Sequence, residues 1–286
     1  MGQTVKASVS LRAVKSSGLE RDGDGTVQAL ARALQLLELL AEDSEGYRLV
    51  DLVVCSGLSS STVHRLLTTL EQRRFVQFDR ESSLWHVGAR CFSVGAAFAR
   101  RRRIQDLALP VMRRLRELTR ASVNLGVADA CDIVLIGQVK TPDASQAVAE
   151  LGRRVPLHGA AIGQAILATW PEDDVLQYVR TRGLPRLSRN TVARPSRLHE
   201  VLATIRRTGY AVDDEENAPG LRCIAATILD EHGQPFAALS VAGPSQNIPC
   251  GAFAAIGETI RAAGAEISAA FGGRHAGVAS STVPLR

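Results

Sequence analysis

Val63, Leu66, Leu67 and Leu70 recur at the i, i+3, i+4, i+7 spacing that lines one face of a helix, and they place its start near Ser59 or Ser60. Either serine suits the N-cap. Upstream, Leu49, Leu52 and Val53 form a shorter apolar stripe, which Ser56-Gly57-Leu58 interrupts. Gly57 can take the positive φ that a tight turn between helices needs. Downstream, Phe75 to Phe78 and Leu84 to Val87 are β-prone runs around the polar tip Asp79-Arg80-Glu81-Ser82-Ser83. Residues 47–87 therefore predict two short helices, a turn and a hairpin, the order of a winged helix-turn-helix.

Apolar periodicity continues on both sides. From Thr26, a candidate N-cap, VQALARALQLLELLAE places Leu30, Leu34 and Leu37 on a stripe expected to pack behind the helix-turn-helix. Gly88 opens another helical stretch in which Cys91 or Phe92, Gly95, Phe98 and Ala99 share a face, followed by Arg100 to Arg103. The arginine run reads either as a solvated helix end or as extra phosphate contact. An apolar stripe on a linking helix suggests packing against the same helix of a second subunit, hence a homodimer or a dimer of dimers.

The rear of the chain predicts a helix from Gln105 to Thr119 on Leu107, Val111, Leu115 and Leu118, then strands at Val123 to Val127 and Ile133 to Val139. Helices follow at 160–170, 174–182, 196–208 (ended by Gly209) and 253–271, with a hairpin of 223–229 and 236–241 around His232-Gly233. Hairpins rather than repeated βαβ units point to an α+β fold whose antiparallel sheet is flanked by helices.

At 286 residues and 45% hydrophobic, the chain is long enough for two domains. Its +5 net charge is uneven: residues 1–120 hold 19 Lys+Arg against 13 Asp+Glu, the remainder 15 against 16. A basic front suggests a polyanion partner, and a near-neutral rear a different task. Cys55, Cys91, Cys131, Cys223 and Cys250 form no C-x-x-C pair, so neither a disulfide framework nor a zinc site is indicated, and no metal or cofactor is expected. Without an apolar leader or a run of ~20 apolar residues, a soluble cytoplasmic protein that makes no membrane contact is expected.

On the first predicted helix pair, Ser60, Ser61, His64, Arg65 and Thr68 make a small polar face that fits a major groove. Arg65 is the natural base reader, because a guanidinium spans guanine O6 and N7. Ser59, Ser60, Ser61 and Thr62, near the helix start, suit phosphate contacts; His64 suits either role, and Arg73, Arg74 and Arg80 suit phosphates. The competing readings are a helical domain with a solvated polar face, or a winged helix that contacts protein or RNA.

Three segments, GLSSSTVHRLLTTLEQRRFVQFD, RRVPLHGAAIGQAILA and GYAVDDEENAPGLRCIAATILDEHGQPFAALSVAGP, resemble the IclR family of bacterial transcriptional regulators in order and spacing, over about residues 26–272. The resemblance implies a winged-helix domain (26–88), a linker helix (89–104) and a GAF-like effector-binding domain (105–274), with a disordered lead-in (1–25) and tail (275–286). It also implies a regulator whose affinity for double-stranded operator DNA is changed by a small-molecule effector, an organic acid or related metabolite. Repression is the commoner mode in the family, and activation is the alternative. The family's effector pocket maps onto Ala161, Ile162, Asp213, Cys223 and Ser240. Helix-start amides at Ala161 and Ile162 suit a carboxylate, Asp213 suits a hydroxyl at the ligand's other end, and Cys223 and Ser240 line the floor. Two positions depart from the pattern: Ala242 stands where some relatives carry serine, and Gln164 where many carry lysine. Cys223 also reads as a buried small hydrophobe, residues 213–216 as a solvated acidic loop, and His158 as a satisfied structural histidine. A Cys223 or Asp213 enzyme is the rival class, but no Cys-His signature, phosphate loop or nucleophile elbow accompanies them, so no catalytic residue is assigned.

Overall fold

The structure, a computed structural model, describes residues 27–102, 104–141 and 151–272. The expected lead-in and tail, Thr26, and the side chains of 98–103 lie outside them, and with these the reading of the arginine run. The chain divides between residues 100 and 101 into two compact units.

The first unit contains α1 (Gln28–Glu42), α2 (Leu49–Ser56), α3 (Ser60–Gln72), β1 (Val76–Asp79), β2 (Leu84–Val87) and α4 (Ala89–Arg102). Leu36, Leu40, Leu52, Val63, Leu67, Val76 and Trp85 form its core. Burying each such side chain contributes roughly 2 kcal/mol. Gly57 has φ +68° and its N–H donates to Val53 O, which ends α2. Ser59 is the N-cap of α3, its Oγ accepting from Thr62 N at 3.3 Å. The β1–β2 hairpin is tied to the segment before α2 by Tyr47 N to Trp85 O (3.0 Å) and Trp85 N to Tyr47 O (2.8 Å). A bridge at both ends of one residue pair fixes where the wing stands relative to the helices.

The stripe expected on α1 is corrected. Leu30 and Leu34 are 59% and 49% exposed, and Leu36 and Leu40 enter the core, with Leu37 half-buried. Because α1 is apolar on several sides, spacing alone supports more than one stripe, and packing against α2 and α3 selects between them. The position flanking α1 is Val27, which makes no side-chain cap.

The second unit contains α5 (Ile104–Thr119), β3 (Ser122–Asp129), β4 (Asp132–Val139), β5 (Arg154–Pro156), α6 (Ala161–Leu167), α7 (Glu172–Arg182), α8 (Pro195–Thr208), β6 (Ala211–Asp214), β7 (Leu221–Leu229), β8 (Pro235–Pro244) and α9 (Phe253–Ala270). The strands form one antiparallel sheet in the order β5-β4-β3-β8-β7-β6. Strand alternation assigns its two faces. Leu125, Ile224, Leu239 and Val241 pack with Val111 and Leu115 of α5 and Ile260 and Ile267 of α9. Cys223, Ala225, Ala238 and Ala242 pack instead with α6, α7 and α8 through Ile162, Ile166, Tyr178 and Leu202. The α+β class with a helix-flanked antiparallel sheet is what the chain adopts.

On α5, Val111 and Leu115 are buried as expected, but Leu107 and Leu118 are exposed; Ile104, Ala108 and Met112 complete the buried face. The short strands β5 and β6 were not foreseen from the sequence.

Gly163 permits a close approach. A Cβ there would collide with Leu157 O and lie 2.6 Å from its Cα, so α6 seats on the turn at 157–159 only without a side chain. Gly163→Ala should cost about 1–3 kcal/mol by overpacking, read as an earlier denaturation midpoint of the second unit. An unchanged midpoint would mean that α6 does not need this contact.

Candidate functional site

In the first unit, Ser59, Ser60, Ser61, His64 and Arg65 are exposed along α3, and Thr62 and Thr68 are half-buried. Several of the hydroxyls serve the helix itself. Ser59 Oγ lies 2.8 Å from Thr62 Oγ1 and 3.2 Å from Ser61 Oγ, and Thr68 Oγ1 donates to His64 O at 2.9 Å. His64 and Thr68 open onto a cleft of about 710 Å³ shared with Arg48 before α2 and with Ser82, Ser83 and Trp85 of the wing. At the wing tip, Ser82 Oγ and Glu81 N both donate to Asp79, holding its carboxyl below the usual range and fixing the turn that carries Arg80.

The expected residues do not form one cluster. Arg80 sits at the wing tip, whereas Arg73 and Arg74 follow the far end of α3, which at 13 residues is about 20 Å long. Arg74 has φ +62° and its carbonyl accepts from Arg90 N, so its backbone belongs to the turn into β1. Arg48, at the mouth of the cleft, was not singled out by the sequence: a lone arginine ahead of an apolar stripe carries no signal.

In the second unit the predicted pocket residues come together. Asp213 is paired in register with Cys223, Cys223 with Ala242, Ala225 with Ser240, and Ser240 with Asn124, all on the sheet face covered by α6. Ala161, Ile162, Asp213, Cys223 and Ser240 are all buried. Ile162 reaches over Gly126, where an added Cβ would meet its Cδ1 at 3.0 Å.

Asp213 is a strand residue, not part of a solvated loop. Its Oδ1 accepts from Glu216 N (2.6 Å) and Asn217 N (3.3 Å), while its Oδ2 is buried and, among the described residues, unpartnered. Burial pushes its carboxyl up to about 7; the two amides oppose this, and Glu216 and Asp214 add to it. Glu216 is likewise raised by burial to about 7, against a hydrogen bond from Gln164 and the charge of Arg197. The Cys223 thiol is pushed well up by burial and by Asp213 opposite. A thiol kept neutral in this way is a poor nucleophile.

His158 is structural. Its Nε2 lies 3.0 Å from Pro185 O, which can only accept, so Nε2 carries the proton and Nδ1 accepts from Tyr178 Oη at 2.8 Å. Burial holds it neutral by lowering its pKa.

Sequence reasoning missed Ser122 and Asn124 on this face, read Glu216 only as part of a solvated acidic loop, and took Gln164 only as a departure. Gln138 Nε2 donates to Asn124 Oδ1 at 2.7 Å, and Asn124 Nδ2 reaches Ser240 Oγ at 3.5 Å. Ser122 and Asn124 alternate with Val123 and Leu125, a pattern that ordinarily marks a solvent face. Helices cover both faces here, so the polar row is interior. Among the described residues, no three His, Cys, Asp or Glu side chains gather to hold a metal.

The profile of the IclR helix-turn-helix domain matches residues 29–80, and that of the bacterial transcriptional regulator IclR C-terminal domain matches residues 96–269. The transcriptional repressor IclR of Escherichia coli is 39% identical over 251 residues, covering 87% of this chain and 92% of that one. The acetate operon repressor of Salmonella typhimurium is 39% identical over 251 residues, with the same coverage of 87% and 92%. Among solved structures, an IclR homologue from Microbacterium hydrocarbonoxydans complexed with 4-hydroxybenzoate superposes with a TM-score of 0.72 at 26% identity, covering 84% of this chain and 98% of that one.

Proposed function

The chain belongs to the IclR family of bacterial transcriptional regulators, and from that premise we propose that it is a cytoplasmic repressor whose hold on operator DNA is changed by a small organic acid. Residues 26–88 serve DNA binding, 89–104 link, and 105–274 bind effector. The observation that carries the effector half is the buried Asp213 Oδ2, an acceptor left without a partner beneath α6. A native interior seldom tolerates such a group unless something else supplies the donor.

At the DNA end, Arg65 reads a base, His64, Ser60, Ser61 and Thr62 contact base edges or phosphates at the start of α3, and Arg80 meets phosphate from the wing. Arg48 joins them across the cleft. Arg73 and Arg74, at the other end of the helix, meet phosphates outside that groove. At the effector end, the first amides of α6, which have no intrahelical acceptor, face the ligand carboxylate. Ser240 and Asn124 lie on the sheet beneath, and Cys223 and Asp213 mark the far end. Effector acts through the difference in its affinity for the DNA-competent and DNA-incompetent states.

The test is a gel shift on the DNA upstream of the gene, at several salt concentrations, with and without organic acids. Binding should weaken steeply with salt, and at least one acid should change it. Salt-independent binding, or indifference to every acid, would refute the respective half.

The protein works as a homodimer or dimer of dimers. Support comes from apolar side chains that the first unit leaves on its surface: Val27 just before α1, Leu30 and Leu34 of α1, and Phe92, 81% exposed, and Val94 of α4. Cys91, by contrast, is half-buried, with Sγ donating to Phe75 O, so the outward-facing residue of the expected stripe is Phe92. Leu34→Ser with Phe92→Ser should lower the dimer association constant measured by sedimentation equilibrium by at least about tenfold, given roughly 1.5–3 kcal/mol per buried side chain. A dimer of undiminished strength would place the interface elsewhere.

A further inference from the structure

Gln164 is fully buried, and both hydrogens of its amide are committed: Nε2 donates to His158 O at 2.9 Å and to Glu216 Oε2 at 2.6 Å. That fixes which way the amide points. Its Oε1 is consequently a buried acceptor, and it is one of two buried side-chain atoms among the described residues without a partner. The other is Asp213 Oδ2, on the strand end packed against the same helix. Neither oxygen accepts a hydrogen bond from any described residue.

The groups surrounding this pair are poor in donors. Asp213 faces the Cys223 thiol on β7 and Glu216 and Asp214 on its own turn. The guanidinium acting on Glu216 is that of Arg197 on α8, which is exposed and pairs with Glu200 at 2.7 Å. An amide oxygen never donates, so the pair together cannot be completed by a ligand that brings only acceptors.

We propose that Asp213 and Gln164 form an acceptor-only end of the effector site, so that the effector presents there a neutral donor, a hydroxyl or an amide N–H, and dicarboxylates are excluded. This rests on the effector site proposed above and deepens it. A hydroxyl satisfies either oxygen at the cost of its own water contacts. A second carboxylate would bring its charge among Asp213, Glu216 and the Gln164 carbonyl with no donor to receive it, a desolvation penalty that hydrogen bonding does not offset.

Calorimetry on the full-length protein at pH 8 tests this with three pairs that exchange only a CH2OH for a carboxylate: glycolate and oxalate, 4-hydroxybutanoate and succinate, 4-(hydroxymethyl)benzoate and terephthalate. For every pair in which a member binds, the hydroxy acid should bind tighter by about 10–100-fold, the equivalent of 1–3 kcal/mol for a buried group left unpaired. Asp213→Asn keeps an oxygen for the amides of Glu216 and Asn217 and puts an N–H where Oδ2 stands. It should narrow the preference by about tenfold. A dicarboxylate binding as well as its partner, or an unchanged preference in a folded Asp213→Asn protein, overturns the inference while leaving the effector site standing. If none of the six acids binds, the organic-acid reading itself falls, and this inference with it.

Discussion

Replacing Arg65 by alanine should cut discrimination between operator and unrelated DNA by about 10–100-fold while leaving the fold and effector binding intact. Arg65 is exposed on α3, one turn from its start, and its backbone lies within the helix, where its carbonyl also accepts from the Thr69 hydroxyl at 2.8 Å. Its side chain is outside the core of Leu36, Leu52, Val63 and Leu67, so truncation removes no packing. A bidentate arginine–guanine contact is worth about 1–3 kcal/mol of discrimination, or roughly 10–100-fold. The informative control is Arg65→Lys, which keeps the charge but loses the planar fork. It should retain most of the salt-dependent affinity and lose most of the selectivity. Competition binding against shuffled DNA measures both. If Arg65→Ala keeps its selectivity, base reading belongs to His64 or to Arg48 across the cleft.

Raising the pH from 5 to 8 should destabilise the effector-free second unit and strengthen its grip on a hydroxy acid. Asp213 and Glu216 each have a native pKa of about 7, above the ordinary values of 3.8 and 4.5. The native state therefore binds protons more tightly than the unfolded chain. The resulting stabilisation is fully present below about pH 4 and is lost as the pH rises through 7. Glu216, Asp214 and Cys223 face Asp213, and Gln164, Arg197 and Asp214 act on Glu216; burial outweighs the one cation among them. Each kcal/mol lost lowers the transition temperature by about 2–4 °C in a domain of this size. A scanning-calorimetry series should show the decline, and a hydroxy acid should reverse it most strongly at pH 8, where Asp213 is ionised and can accept. A transition temperature that is flat from pH 5 to 8 would mean that both carboxyls are already ionised in the native state.

The helices and hairpins of both units were legible in the sequence because each repeats its apolar spacing over several turns or ends at a punctuating residue, as α2 does at Gly57 and α8 at Gly209. Faces were harder than elements. On α1 and α5 apolar residues occur on more than one side, and only packing reveals that Leu36 and Met112 go in while Leu34 and Leu118 stay out. Strand β6 is four residues, half of them aspartates, so its period is too short and too charged to register. The resemblance brought Asp213, Cys223 and Ser240 to attention, and register then set them on one face. Asn124 escaped because an interior polar group on a strand looks like a surface one until both faces of the sheet are seen to be covered, and Glu216 because four acidic residues in a row read as a solvated loop.

The sheet beneath α6 is floored by small residues: Gly126, Ala225, Ala238 and Ala242 face the helix, whose own first residue is Ala161. That gives evolution at this site a direction. Nearly every single substitution on the floor adds atoms, so a new ligand range is reached most readily by narrowing the present one. Widening it requires α6 itself to stand further off, and Gly163 against Leu157 holds that helix down. Descendants of this chain can therefore become choosier by point mutation, whereas accepting bulkier effectors calls for coordinated change in the helix and the turn that seats it.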